Sequence, residues 1–159
     1  MNRTYLLLGS NMGNSQKQLA IAIRYIEKSI GRVARKSGLY KTAAWGKTDQ
    51  PDFLNRVIIV ETSSMAQDVM QTILAIEKKM GRVRTKKNAP RIIDIDILFF
   101  DKQVIHEDNL IIPHPHIQDR RFVLVPLHEL SPLFIHPRLK KNIHQLLLEC
   151  ADKLDVKKI

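Results

Sequence analysis

Two stretches of this chain repeat one apolar spacing, and a glycine closes each. Leu19, Ile23, Ile26 and Ile30 stand four, three and four residues apart before Gly31, and Val69, Ile73, Ile76 and Met80 repeat the pattern before Gly81. That spacing puts each set on one face of an α-helix. Ser15 with Gln18 and Ser64 with Gln67 have the form of capping boxes and predict where the helices start. Two matched, one-faced helices must bury their stripes against a shared surface. The segments around them supply it: Thr4 to Gly9, residues 32 to 42, Leu54 to Thr62 and Ile92 to Phe100 all read as strands, the third most clearly through its β-branched run.

The order is strand, helix, strand, strand, helix, strand. It predicts an α+β fold with a ferredoxin-like βαββαβ core, an antiparallel sheet with both helices on one face, and the other face free for loops and ligands. Beyond the core, residues 101 to 113 read as a hairpin or loop, and Asp119 to Leu130 as a short helix. Asn142 to Leu154 reads as a last helix, with Ile143, Leu146, Leu147 and Cys150 turned inward. A length of 159 residues suits a single domain over 1–159. No apolar run approaches the roughly 20 residues that span a bilayer, and the first residues lack a secretory pattern. A soluble, cytoplasmic protein is expected, with no evident apolar dimer face and hence a monomer. Cys150 is the only cysteine, so neither an internal disulfide nor a thiolate metal cluster can form.

The net charge of +10 calls for an anionic partner: nucleic acid, a membrane surface or a phosphorylated small molecule. Lys153, Lys157 and Lys158 read as solvated tail, but Arg82, Arg84, Lys86, Lys87 and Arg91 crowd one segment with no acid among them. Directly after it comes Arg91-Ile92-Ile93-Asp94-Ile95-Asp96-Ile97-Leu98. Strand alternation puts Ile93, Ile95 and Ile97 on one face and both aspartates on the other, with Cα atoms roughly 6.5 to 7 Å apart. The pair is either a solvated outer face or a set of hard oxygen ligands suited to Mg²⁺. Beside an arginine-rich loop, the second reading makes two halves of a phosphate-transfer site with ATP as the candidate substrate.

Other motifs carry less. Gly46-Lys47-Thr48 is not a P-loop, because Lys41 occupies the position of the required first glycine and no helix follows. His114 and His116 could be a metal pair, though no Cys or carboxylate nearby in sequence completes a site; with Arg120 and Arg121 close behind, a histidine donating to phosphate fits better. Phe53 and Phe122 would be assigned to the core from periodicity alone.

Five blocks in order resemble the 6-hydroxymethyl-7,8-dihydropterin pyrophosphokinase family. They are Leu8-Gly9-Ser10-Asn11, Tyr40 to Asn55 with Asp49-Gln50-Pro51-Asp52-Phe53-Leu54-Asn55, Gly81-Arg82-Val83-Arg84, Pro90 to Asp96, and Pro113-His114 through Arg120-Arg121-Phe122 to Leu127. The resemblance implies pyrophosphoryl transfer from ATP to a pterin hydroxymethyl group in folate biosynthesis, with two Mg²⁺ ions held by Asp94 and Asp96. It implies that Arg82 and Arg91 contact the triphosphate and that Arg84 lies in a loop closing over the site. Glu77, Ile97, His114 and Arg120 are implied on the nucleotide side. Phe53 and Phe122 are implied to sandwich the pterin, Asn55 to read its edge, and Thr42, Ala43 and Trp45 to line it. Leu74 and Pro115 depart from relatives that carry polar or tyrosine contacts there, and the loop before Arg91 is shorter than in relatives with a tryptophan in it. A basic RNA-binding module is the main rival, but paired aspartates on the fourth strand would repel phosphate unless a metal intervened. Intact Arg82, Arg91, Asp94 and Asp96 speak against a non-catalytic pterin binder. Small-molecule partners are therefore expected, with neither nucleic acid nor membrane among them.

Overall fold

The long strand β1 (Asn2–Ser10) runs through the middle of a sheet whose pairings are all antiparallel. The structure, a computed structural model, describes residues 1–43, 50–83 and 90–159. On one side of β1 lies β5 (Asp94–Phe100), and on the other β4 (Phe53–Thr62). The far edge of β4 is shared by β2 (Arg32–Lys36) and β3 (Tyr40–Thr42). With α1 (Ser15–Ser29) after β1 and α2 (Ala66–Lys79) after β4, this is the ferredoxin-like βαββαβ arrangement. The remaining elements are the hairpin β6 (Ile105–Glu107) and β7 (Leu110–Ile112), a 3₁₀ turn at Ile117–Asp119, α3 (Arg121–Leu130), α4 (Ile143–Glu149) and a last strand β8 (Val156–Lys158).

The stripes of α1 and α2 pack on one sheet face against Leu6, Leu8, Ile58, Val60, Ile95 and Ile97. The opposite face is not left to loops alone. Helices α3 and α4 bury Val123, Leu124, Leu127, Ile143 and Leu146 against Tyr5, Leu7, Val57, Ile59 and Phe99. The pairing of β1 with β5 shifts between Tyr5 and Leu6. Leu98 is the extra residue, so Leu98 and Phe99 both join this second core while Phe100 turns to the first. These helices cover the Tyr5 and Phe99 end of the face and leave its other end, where Gly9, Asn55 and Asp94 lie side by side, open to a cavity.

Strand and helix ends shift from expectation by one or two residues at β1, β4, β5 and α3, and four other boundaries differ for reasons the structure shows. Asn14, not Ser15, caps α1 by accepting from Lys17 N at 3.1 Å. Helix α2 starts at Ala66 behind Met65 with no side-chain cap; Ser64 stands outside the helix, its N donating to Thr62 Oγ1 and its O accepting from Asn2 Nδ2. The strand expected over 32–42 breaks at Ser37, whose hydroxyl accepts from Val57 N at 3.0 Å and so takes the place of a backbone partner. Helix α4 has the Asn142 and Gln145 capping box but stops before Cys150, after which the chain turns and pairs β8 with β3. Among the described residues no helix is long and apolar enough to cross a membrane.

His136 ties the loop between α3 and α4, with Nδ1 accepting from Arg138 N at 3.2 Å and Leu139 N at 3.1 Å. Burial, and then the charge of Arg138, push its pKa down to about 4. Because the unfolded chain takes up this proton near pH 6.5 and the folded chain does not, stability is lost as pH falls from about 6.5 toward about 4, by at most about 1.4 kcal/mol per pH unit. His136→Asn, whose Oδ1 can stand in for Nδ1, should flatten part of that slope in thermal melts between pH 4.5 and 6.5; an unchanged slope would remove His136 from the account.

Candidate functional site

The open end of the sheet faces a cavity of about 590 Å³. Its first half is charged. Alternation along β5 sends Ile93, Ile95 and Ile97 into the helix-side core and Asp94 and Asp96 to the cavity, as the sequence pattern predicts. Gly81 closes α2 in the left-handed region at φ 91°, which a side chain would disfavour, and so turns the next residue, Arg82, back across β5. The Arg82 Nη1 donates to Asp94 Oδ1 at 2.6 Å and to Glu77 Oε2 at 2.7 Å. The same Glu77 oxygen accepts from Ile95 N at 2.8 Å. Arg91 Nη1 lies 3.5 Å from Asp94 Oδ2.

These contacts set the charge states. Burial works against a charged Arg82, but Asp94 and Glu77 outweigh it and hold the guanidinium above its usual pKa. Asp96 is pushed the other way: burial, then Asp94 and Glu77, raise it to about 7 against the opposing pull of Arg120 and Arg82. A carboxylate held there at neutral pH gains from a cation. His114 is lowered to about 4 by burial and by Arg120 and His116. Its Nδ1 accepts from His116 N at 3.1 Å, so the neutral ring carries its proton on Nε2 and can donate from it.

The second half of the cavity is aromatic and amide-bearing. Phe53, at the start of β4, and Phe122, in the first turn of α3, are half-buried in its wall, Phe122 also packing against the second core. In the same cavity Asn55 of β4, 5 % exposed, donates Nδ2 to Thr42 Oγ1 at 3.2 Å. Gly9 lies directly opposite Asn55, and a Cβ on it would stand 2.6 Å from Asn55 Oδ1. Gly9→Ala should therefore swing the amide aside and weaken binding of a heterocycle in this half by about tenfold or more, the cost of losing a paired hydrogen bond. Titration of the variant measures it, and unaltered affinity would show that the Asn55 orientation is not used.

Arg82, Arg91, Asp94, Asp96, His114 and Arg120 thus meet Thr42, Ala43, Phe53, Asn55 and Phe122 in one cavity. Glu77 stands behind Arg82, 3 % exposed and outside the cavity lining. The Ile97 side chain packs in the helix-side core, on the face of β5 away from the aspartates. Trp45 and Arg84 lie outside the described residues. Sequence reasoning gave no role of its own to Asn11, which is 2 % exposed. Its Nδ2 donates to Gln50 Oε1 and Pro51 O, its Oδ1 accepts from Arg91 N at 2.8 Å, and its N donates to Arg91 O at 3.0 Å. It therefore joins the segment entering β4 to the segment entering β5. The Gly-Ser-Asn turn after a buried strand was the available signal. Asp152 and Leu154 also line the cavity and had no signal at all.

A carboxylate and arginine half facing an aromatic and amide half is what a phosphate donor and a flat acceptor would need. The family model for 7,8-dihydro-6-hydroxymethylpterin-pyrophosphokinase (HPPK) matches residues 5–132. The chain belongs to this family. It is 40% identical over 133 residues to the 2-amino-4-hydroxy-6-hydroxymethyldihydropteridine pyrophosphokinase of Methylorubrum extorquens, covering 83% of this chain and 84% of that one. It is 37% identical over 145 residues to the protein of that name from Aquifex aeolicus, covering 91% and 90%. Among solved structures, the wild-type Plasmodium falciparum HPPK-DHPS with SDX-DHP superposes with a TM-score of 0.76 at 21% identity; that likeness shows the fold, and spans 94% of this chain but 43% of the longer one. The matched HPPK region contains every cavity residue named above except Asp152 and Leu154.

Proposed function

We propose that this pyrophosphokinase transfers the pyrophosphoryl group of ATP to the hydroxymethyl oxygen of 6-hydroxymethyl-7,8-dihydropterin in folate biosynthesis, with Asp94 and Asp96 as the holders of two Mg²⁺ ions. The observation that carries the reading is the meeting in one cavity of the Asp94, Asp96 and Arg82 cluster with the Phe53, Asn55 and Phe122 wall. The donor set fits a hard cation. Among the described residues no group of three or more His, Cys, Asp or Glu could hold a metal, and Mg²⁺ asks for less: one or two carboxylates, with substrate phosphates and water completing the shell. Held by Asp94 and Asp96, Mg²⁺ would supply Lewis-acid stabilisation of the negative charge that develops on the phosphates.

The protein's own groups do the rest by position and charge. The Arg82 guanidinium is fixed by Glu77 and Asp94, and Asn11 clasps the Arg91 main chain while the Arg91 guanidinium lies beside Asp94, so both are set before the triphosphate arrives. The Nε2 proton of His114 and the Arg120 guanidinium, in the lining of the same cavity, add donors for the same charge. Phe53 and Phe122 take the two faces of the pterin ring. The Thr42 bond uses one amide hydrogen of Asn55, which leaves the other hydrogen and Oδ1 for the ring edge. The hydroxymethyl oxygen then attacks the β-phosphorus of ATP and releases its proton to solvent, the bond from that phosphorus to the α,β-bridging oxygen breaks, and AMP leaves. The enzyme acts as a cytoplasmic monomer, one domain over residues 1–159, without nucleic acid or membrane as a partner.

Chelator-treated protein supplied with ATP and pterin should form no AMP until Mg²⁺ is added back. Full turnover in excess chelator would refute the metal assignment, and elution at twice the monomer mass would refute the oligomeric one.

A further inference from the structure

The residues after Cys150 lie beyond the stretch that the family model matches, and two of them, Asp152 and Leu154, line the cavity. From the end of α4 the chain passes the start of α3 and then joins the sheet outside β3, with Val156 opposite Thr42 and Lys158 opposite Tyr40. Both neighbours carry site residues: Thr42 on β3, and Arg120 and Phe122 at the start of α3.

Helix α3 begins without a cap of its own. Arg120 occupies the cap position, and its side chain makes no capping bond. The first N–H groups of a helix need an acceptor from elsewhere in that case. Asp152 brings one from 31 residues away: its Oδ2 accepts from Arg121 N at 3.0 Å. Its Oδ1 accepts from Leu154 N at 3.0 Å, so the carboxylate is itself held in place. Negative charge at this end of a helix is also favoured by the helix dipole. Arg121 stands between two cavity residues, and the Arg120 guanidinium lies 5.9 Å from the centre of the Phe122 ring. A bond that fixes Arg121 fixes both.

We infer that Asp152 is a positioning residue for Phe122, and that Leu154 forms part of the wall against which the flat heterocycle sits, so that the tail of the chain sets affinity for the pterin. This rests on the reading of the cavity's aromatic half as the pterin site. Asp152 acts through the Phe122 ring and not on the pterin, which separates it from a general stabilising contact.

The test is titration of the full chain with 6-hydroxymethylpterin in the presence of Mg²⁺ and a non-hydrolysable ATP analogue. Asp152→Ala should weaken binding about tenfold, and Asp152→Asn, which keeps an acceptor oxygen, by no more than about threefold. In a Phe122→Ala background, Asp152→Ala should change the affinity by less than about twofold. Leu154, 37% exposed, can be shortened without unfolding the chain, and Leu154→Ala should weaken binding about fivefold with an unchanged thermal midpoint. Wild-type protein that binds no pterin overturns the pterin reading and this inference with it. Wild-type binding with Asp152→Ala and Leu154→Ala both unaltered overturns the inference alone, as does a tenfold Asp152 effect that persists without the Phe122 ring. Should Asp152→Ala fail to fold by circular dichroism, Leu154→Ala decides: wild-type affinity in that variant overturns the inference.

Discussion

Asp96→Ala should lose pyrophosphoryl transfer by on the order of a thousandfold or more, while the metal-free variant unfolds at a temperature equal to or above that of the parent. The two effects have one origin. Desolvation at the half-buried Asp96, then the charges of Asp94 and Glu77, raise its pKa to about 7. A carboxyl whose folded-state pKa lies above its unfolded value holds a proton that the unfolded chain gives up, so its ionisation lowers stability as pH rises from about 4 through about 7. Above pH 7 the folded chain carries that burden in full unless a cation offsets it. Alanine removes the burden and, with it, one of the two carboxylates that would hold Mg²⁺. AMP formation and thermal melts at pH 8, with and without chelator, measure both effects. Full Mg²⁺-dependent activity in the variant would show that Asp96 is not a metal ligand, and a large loss of metal-free stability would show that its burial is compensated in some other way.

Phe122→Ala should weaken pterin binding by about ten- to a hundredfold, in line with the cost of removing one aromatic platform from under a flat base. The nucleotide should be far less affected. Phe122 lies in the cavity wall with Arg120 over its ring, whereas Arg82, Arg91, Asp94 and Asp96 belong to other elements. Separate titrations with pterin and with a non-hydrolysable ATP analogue distinguish the outcomes. Equal losses for both ligands would mean that Phe122 supports the whole cavity rather than one ring.

What could be read from the sequence was periodic or local. The matched stripes of α1 and α2 gave the helices and their common face, and the Ile93, Ile95 and Ile97 alternation gave the side on which Asp94 and Asp96 stand. Gly81 and Arg82 after α2 were enough to place charge beside them. Long-range contacts were not legible. Phe53 and Phe122 look like core residues because nothing local says that the sheet end beside them is open. Strand β8 has no apolar pattern: Lys157 and Lys158 are exposed, and its place is fixed by β3 and by the pairing of Lys158 with Glu129 at 3.5 Å. Asn11 and Asp152 are single polar residues whose partners lie 80 and 31 positions away, and sequence alone cannot show that such a residue is buried or bridging. The caps went wrong for a similar reason. Asn14 and Ser15 are both good cap residues, and backbone geometry chose between them.

Product analysis by phosphorus NMR tests the central claim most directly, with purified protein, Mg²⁺, ATP and 6-hydroxymethyl-7,8-dihydropterin, and with controls lacking pterin or metal. The predicted result is AMP and the pterin diphosphate in equal amounts, with no ADP and no reaction in either control. ADP with a pterin monophosphate, or AMP formed without pterin, would contradict transfer of a pyrophosphoryl group at this site.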